Sequence, residues 1–148
     1  MYRHILMATD GSERASKGVQ HGLALAGSLQ ARATVLTVSE PISTGFDDAL
    51  GWSAVATSLP DFQKAREDAA RKVLDAVTAQ AQQAGVTPQL LHVADRYAAE
   101  AIVDTAEREG CDLIVMASHG RRALGHLLLG SQTSEVLARC GVPVLVIR

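Results

Sequence analysis

The chain has 148 residues, 47% of them hydrophobic, and its 14 basic and 16 acidic residues leave a formal net charge of −2. The interspersed charges and the 3% aromatic content argue against the basic patch or base-stacking surface of a nucleic-acid-binding protein. No apolar run approaches the roughly 20 residues of a membrane span, and the N-terminal apolar stretch is shorter than that of a secretory signal. We therefore expect one cytoplasmic domain, residues 1–148, without nucleic-acid or membrane partners.

The N-terminal third of the chain predicts a strand, a helix and a second strand. The short apolar run Arg3–Ala8 predicts the first strand, and Asp10–Ser12 forms a turn in which Ser12 is the expected helix N-cap. The second strand is predicted at the β-branched segment Ala33–Ser39. The helix between them has its small and apolar residues at helical spacing on one face: Ala15, Val19, Gly22, Leu23 and Ala26.

The segment from Glu40 to Ser58 contains Pro41, Gly45 and Gly51 and has no stable period, which predicts a long loop. Loops of this length are uncommon in compact domains and often functional, so its apolar residues either cover a pocket or a partner or belong to a partly disordered segment. A second helix is predicted to begin at Asp61 and to end at Gly85. Its predicted buried face contains Phe62, Ala65, Ala69, Val73 and Val77.

Strands and helices continue to alternate in the second half of the chain. The remaining elements are predicted at Thr87–Ala94 (strand), Ala98–Glu109 (helix, ended by Gly110), Asp112–Ala117 (strand), Gln132–Arg139 (helix) and Pro143–Ile147 (strand). This alternation implies parallel strands with right-handed crossovers, and the nearly continuous apolar character of the last two strands implies helices on both faces. We therefore predict an α/β fold with a five-stranded, parallel, doubly wound, Rossmann-like sheet.

The segment Ser118–Ser131 follows the fourth predicted strand and leads into a helix, the position at which α/β domains bind phosphate groups. Gly120 and Gly130 are expected to adopt positive φ and to let a ligand approach the backbone, while Ser131 and Thr133 add hydroxyl groups. Asp10 lies at the same edge of the sheet, after the first strand. The alternatives are a tight turn with plain helix caps and an ordinary turn aspartate.

Other nucleotide and metal motifs are not supported. Gly120–Gly125 has the glycine spacing of a P-loop, but His126 and Leu127 occupy the positions of the required Lys and Ser or Thr. Cys111 and Cys140 are isolated from each other, and the five histidines form no helical pair, so we predict no metal site and treat both cysteines as small apolar residues.

Three segments give the chain its resemblance to the universal stress proteins: Ile5–Ser12, Asp112–Met116 and Val142–Val146. Nucleotide-binding members of that family carry Gly-x-x-Gly, nine further residues and then Gly-Ser or Gly-Thr. Here Gly120, the nine residues 121–129 and the pair Gly130-Ser131 match this motif, while Ala117 replaces its first glycine. The resemblance covers the whole chain and implies an adenine nucleotide alpha hydrolase-like fold.

The resemblance further implies that ATP, with Mg²⁺, binds between Asp10 on the ribose and adenine side, the backbone of Val38 at the adenine, and the glycine motif at the phosphates. The expected site residues are Ala8, Asp10, Val38, Ala117, Ser118, His119, Gly120, Gly130, Ser131, Gln132 and Thr133. It also implies a homodimer joined through Pro143–Ile147, an apolar strand without charged residues that would serve as a pairing edge.

We expect a stress-response binding module rather than a dedicated catalyst, because the chain has no evident set of catalytic residues. Two alternatives remain: an ATP-using enzyme of the same fold, and a dimerisation module without a ligand.

Overall fold

A computed structural model describes residues 1–42, 49–119 and 129–148, with the backbone alone at 49–57. Strands and helices alternate strictly along these residues. The elements are β1 (His4–Ala8), α1 (Glu13–Leu29), β2 (Arg32–Ser39), α2 (Ala49–Ala84), β3 (Gln89–Ala94), α3 (Ala98–Glu109), β4 (Leu113–Ala117), α4 (Ser131–Arg139) and β5 (Val144–Ile147).

The five strands form one parallel sheet in the order β3-β2-β1-β4-β5. The central strand β1 pairs with β2 on one side and with β4 on the other, so that Ile5 lies between Ala33 and Leu113. The chain therefore winds outward from β1 in one direction, then returns and winds outward in the other. This confirms the predicted fold class and creates a reversal of strand order at the carboxyl end of β1.

Alternate residues of the strands face two separate cores. Ile5 and Met7 pack on the face covered by α1 and the C-terminal half of α2, whereas Leu6 packs on the face covered by α3 and α4. Such burial on both faces explains why β4 is apolar at every position, since each of its five residues is buried.

Helix α1 begins and packs as the sequence predicts. The Oγ of Ser12 accepts a hydrogen bond of 3.2 Å from the backbone N–H of Ala15, and the predicted face is buried. Gly22 lies on that face because α1 approaches β1 closely: a Cβ at this position would lie 2.5 Å from Cγ and Sδ of Met7. The helix thus sits against the strand that ends at the candidate site.

Helix α2 differs most from the prediction, since it begins at Ala49 rather than Asp61 and contains Pro60 in its interior. The predicted loop is therefore wrong from residue 49 onward, and residues 43–48 of it lie outside the described part of the chain. Residues 49–59 include three alanines and two leucines, which favour helix strongly. Proline lacks a backbone donor and its ring crowds the carbonyl four residues earlier, but α2 nevertheless continues past Pro60 to Ala84.

The predicted buried face of α2 is correct only at its C-terminal end. Val77 is buried and Val73 half-buried, but Phe62, Ala65 and Ala69 are exposed. The buried contact residues are Ala70, Val77 and Ala81. None of the helices in the described part of the chain combines the length and apolar character that crossing a membrane requires.

The remaining boundaries agree with the prediction to within two residues, and α3 agrees at both ends. Gly110 ends α3 with φ of 66°, and Gly85 follows α2 with φ of 67°. These two glycines adopt the left-handed conformation that ends a helix and that side chains with a Cβ disfavour.

Candidate functional site

A cavity of about 120 Å³ opens at the carboxyl ends of β1, β2 and β4, where the strand order reverses. One part of its wall is apolar and consists of Ala15, Leu36, Val38, Ala98, Ile102 and Met116. The other part, from Ala8–Asp10, Ala117, His119, Gln132 and Thr133, contributes all the polar side chains of the lining. An apolar slot with a few convergent polar groups is the usual composition of a small-molecule site.

Strand alternation places Ala8 and Asp10 on the α3 and α4 side of the sheet and Thr9 on the other. The carboxylate of Asp10 accepts a hydrogen bond of 2.9 Å from the backbone N–H of Ser12, the N-cap of α1. The turn that starts α1 therefore also fixes the orientation of the Asp10 side chain at the cavity.

The connection from β4 to α4 is tied together at its two ends. The backbone N–H of Gly130 donates to the carbonyl of Ser118 at 2.7 Å, and the backbone N–H of Ser118 donates to the carbonyl of Ile147 at 2.8 Å. The hydroxyl of Thr133 donates to the carbonyl of Ala117 at 2.9 Å. The start of α4 is thereby held against the end of β4, while residues 120–128 of the connection, including Gly120, lie outside the described residues.

The positive φ predicted for Gly130 is wrong. Its φ is −67°, so the position does not require the left-handed conformation. A Cβ there would lie 3.0 Å from the carbonyl oxygen of Ser118 and 3.3 Å from Cα of His119. Glycine is needed because two segments of backbone approach each other closely.

Gly130 is also the N-cap of α4 and supplies no side-chain cap. The backbone N–H groups of Ser131, Gln132 and Thr133 form the first turn, and such groups have no partner within their own helix. Together with the helix dipole they make the N-terminus of α4 suited to an anion.

The side chain of Gln132 makes two long-range contacts at the cavity wall. Its Oε1 accepts from the backbone N–H of Ala99 at 3.0 Å, and its Nε2 donates to the carboxylate of Glu40 at 3.2 Å. Tyr97, the N-cap of α3, makes no side-chain cap hydrogen bond. The side chain of Gln132 on α4 instead accepts from a backbone N–H in the first turn of α3. No local pattern in the sequence indicated either contact.

Seven of the eleven residues predicted for the site line the cavity: Ala8, Asp10, Val38, Ala117, His119, Gln132 and Thr133. Ser118 and Gly130 lie beside it in the β4–α4 connection, and Ser131 is exposed at the start of α4. The methyl group of Ala117, in place of the motif glycine, forms part of the wall.

Sequence reasoning missed the lining residues Thr9, Ala15, Leu36, Ala98, Ile102 and Met116. Two of them had a usable signal. Leu36 lies two residues before Val38 and therefore on the same face of β2, and Met116 shares its face of β4 with Ile114 in the α3 and α4 core.

A second cavity of about 240 Å³ lies between α1 and α2, on the opposite face of the sheet. Gln80 of α2 lines it and donates from Nε2 to the Oγ of Ser16 at 2.6 Å.

Comparison with known proteins supports the resemblance over the full length. The sequence profile of the Universal stress protein family matches residues 1–148. The Thermus aquaticus protein named universal stress protein in QAH/OAS sulfhydrylase 3′ region is 33% identical over 148 residues, which cover all of both chains. Universal stress protein MJ0577 of Methanocaldococcus jannaschii is 32% identical over 158 residues, covering 100% of this chain and 96% of that protein.

Solved structures share the fold. The structure of MJ0577 superimposes with a TM-score of 0.79 at 26% identity, covering 99% of this chain and 96% of that one. A universal stress protein in complex with cAMP gives a TM-score of 0.69 at 22% identity, with 99% and 97% covered. The Archaeoglobus fulgidus protein in complex with dAMP gives 0.67 at 17% identity, with 99% and 98% covered. On the match of the family profile and of the two relatives over its whole length, the chain belongs to the universal stress protein family.

Proposed function

We propose that this protein binds ATP, with Mg²⁺, in the cavity beside β1 and acts in the cytoplasm as a nucleotide-dependent regulatory module of the stress response. The observation that carries the proposal is the combination of an apolar slot with the first turn of α4 at one cavity. A nucleotide needs both, because its base is largely apolar on its faces and its phosphates are anionic.

The apolar slot suits the base. Leu36, Ile102 and Met116 offer side chains without charge to the faces of a purine. The carbonyl of Leu36 accepts the last hydrogen bond from β1, donated by Thr9 at 2.9 Å. Val38 lies two residues after Leu36, so its backbone N–H and carbonyl also point toward the β1 side of β2. Because β1 has ended at this level, these groups would contact the edge of adenine.

The phosphates would bind at the other end of the cavity, at the backbone of Gly120, Gly130 and the first turn of α4. Mg²⁺ bound with the nucleotide would supply positive charge that offsets the charge of the phosphates. Asp10 would lie away from the phosphates, since two negative groups repel, and its carboxylate would accept hydrogen bonds from ribose hydroxyl groups. The universal stress proteins solved with cAMP and dAMP support the view that this fold accepts an adenine nucleotide.

We assign no catalytic role to Asp10 or His119, the titratable side chains that line the cavity. Asp10 is held by the backbone of Ser12, and Nδ1 of His119 lies 3.2 Å from the Oγ of Ser118. Phosphoryl transfer needs a base placed on the attacking group and a means of neutralising the transition state. We therefore propose binding rather than turnover.

We also propose that the protein is a homodimer joined along β5. This strand lies at one edge of the sheet, and Leu145 on it remains 38% exposed. The carbonyl of Pro143 accepts from Ile114 and that of Ile147 accepts from Ser118, so alternation directs the backbone groups of Val144 and Val146 away from β4. Those outward groups would pair with the same strand of a second copy around a two-fold axis.

Two measurements test the nucleotide proposal. Mass spectrometry of small molecules released from the purified protein should detect an adenine nucleotide, and isothermal titration with Mg²⁺ should give tighter binding of ATP than of GTP. Equal affinity for the two nucleotides would contradict the adenine assignment. Absence of binding to either would contradict the site itself, and rapid phosphate release would favour the enzyme alternative.

A further inference from the structure

The carboxamide of Gln132 joins three elements at the wall of the cavity. Gln132 belongs to the first turn of α4, its Oε1 contacts the backbone N–H of Ala99 at the start of α3, and its Nε2 contacts the carboxylate of Glu40 just beyond β2. Ala98, the residue before this contact on α3, lines the apolar part of the cavity. The Gln132 side chain therefore runs from the proposed phosphate end toward the slot proposed for the base.

The two contacts fix which end of the carboxamide is oxygen and which is nitrogen. The backbone N–H of Ala99 can only donate, so the atom facing it at 3.0 Å must be the acceptor Oε1. The carboxylate of Glu40 accepts, so the atom facing it at 3.2 Å must be the donor Nε2. Rotation of a carboxamide by 180° exchanges its oxygen and nitrogen. In a glutamine with one such contact this rotation breaks one hydrogen bond, but in Gln132 it would break both.

Glu40 is itself held in position from the other side. The guanidinium of Arg66 on α2 donates to the backbone carbonyl of Glu40 and to the carboxylate of Asp95, the latter at 3.0 Å. Asp95 directly follows β3, so Arg66 ties the ends of β2 and β3 together. The acceptor that orients Gln132 is thus part of a connected polar network, which favours a single arrangement before any ligand binds.

An amide nitrogen carries two hydrogens and an amide oxygen two lone pairs. After the contacts with Glu40 and Ala99, Gln132 keeps one N–H and one lone pair, and it lines the cavity. Adenine presents an amino donor beside a ring-nitrogen acceptor, whereas hypoxanthine and guanine present a carbonyl acceptor beside an N–H donor. A carboxamide that can turn over binds both patterns, and one that is held in place binds only one.

We propose that Gln132 is a specificity-determining residue that reads the 6-amino group and adjacent ring nitrogen of adenine, with Glu40 as the positioning residue that stops its carboxamide from turning over. This inference rests on the proposed nucleotide function and assigns base selection in part to a side chain, in addition to the backbone of Val38.

The test compares ATP with inosine triphosphate (ITP), because the two nucleotides differ only in the base groups that Gln132 would contact. Titration of the parent protein should give preference for ATP by roughly tenfold or more, the discrimination typical of a paired amide contact to a base. Gln132→Leu should lower the ratio severalfold, chiefly by weakening ATP, and should leave only the preference that the backbone of Val38 provides. Glu40→Ala should also lower the ratio, but chiefly by strengthening ITP, because the amide is then held by the Ala99 contact alone and rotates at a lower cost.

Gln80→Leu is the matched control, since it removes a half-buried, hydrogen-bonded glutamine of the second cavity and should leave the ratio unchanged. Thermal unfolding checks that each variant is folded. If Gln132→Leu does not fold, Glu40→Ala decides the test. An unchanged ratio in folded Gln132→Leu would overturn the inference, as would equal binding of ATP and ITP by the parent. A parent that binds neither nucleotide would instead overturn the proposed function.

Discussion

The hydroxyl of Thr133 donates a 2.9 Å hydrogen bond to the carbonyl of Ala117 and lies 3.3 Å from the carbonyl of Ser118. Thr133, Ala117 and Ser118 are all buried, so these carbonyls have little access to water. The sequence predicted a phosphate ligand at this position. In the structure the hydroxyl instead donates its hydrogen bond to the carbonyl of Ala117 at the end of β4. This bond fixes the first turn of α4 beside the cavity.

Thr133→Val keeps the shape of the side chain and removes this bond. We expect a loss of about 1–3 kcal/mol in the free energy of unfolding, because the buried carbonyl of Ala117 loses its donor. ATP binding should weaken in parallel, since the first turn of α4 is no longer held at the cavity. Urea unfolding and isothermal titration measure the two effects.

Thr78→Val is the matched control, because the hydroxyl of Thr78 donates to the carbonyl of Leu74 on the exposed surface of α2. This carbonyl can bind water after the substitution, so stability should change little. Equal losses in the two variants would contradict the structural role of Thr133.

Gly130→Val should abolish ATP binding while leaving the domain folded. A Cβ at this position lies 3.0 Å from the carbonyl oxygen of Ser118, so the valine must push the end of β4 away from the start of α4. Gly141→Val provides the control, because a Cβ at Gly141 has no atom within 4 Å. Isothermal titration measures ATP binding by both variants, and circular dichroism checks that they are folded. ATP binding by Gly130→Val equal to that of the parent would contradict the assignment.

A buried histidine at the opposite end of the sheet gives stability a pH dependence. Nδ1 of His4 lies 3.1 Å from the carbonyl of Glu109 and must donate to it, while Nε2 lies 2.8 Å from the hydroxyl of Thr34 and can accept. Both bonds suit the neutral ring. Burial and the charge of Arg32 outweigh the opposing effects of Glu109 and Asp112 and lower the pKa of His4 below its ordinary 6.5.

Since the folded pKa lies below the unfolded value, the unfolded chain binds more protons between the two. Stability should therefore be complete above the unfolded pKa and fall as the pH drops through 6.5 toward the folded pKa. Urea unfolding between about pH 7.5 and about pH 5.5 should show a smaller slope for His4→Gln than for the parent. The exposed His21, replaced by Gln, is the control, and equal slopes for the parent and His4→Gln would contradict this role.

The strands, α1, α3 and the place of the site follow from local signals in the sequence. Ser12 caps α1 as its side-chain chemistry predicts, and Gly110 ends α3 in the left-handed conformation. The order of strands and helices is enough to place Asp10 and Ser118 at one edge of the sheet, because parallel strands end together.

Other features depend on contacts between distant parts of the chain. Gln132 and Glu40 are 92 residues apart, and their bond exists only because the fold brings the first turn of α4 near the residue that follows β2. The glycine at 130 has two possible explanations, positive φ and close approach, which spacing cannot separate. Pro60 predicts a boundary of α2 on local grounds, although the alanine-rich segment before it is also helical.

The edge strand β5 provides the last prediction. Val144 and Val146 direct their backbone groups away from β4, as the bonds of Pro143 and Ile147 to that strand require.

Val146→Pro removes an outward N–H without touching the bonds inside the sheet, a substitution that edge strands tolerate. If the protein dimerises by pairing β5 with its copy, this variant should be monomeric in light scattering at concentrations where the parent is dimeric. The control is Phe62→Lys, which alters an exposed apolar side chain on α2 and should leave the dimer intact. A dimeric Val146→Pro, or a parent that is monomeric at micromolar concentration, would exclude pairing through this strand.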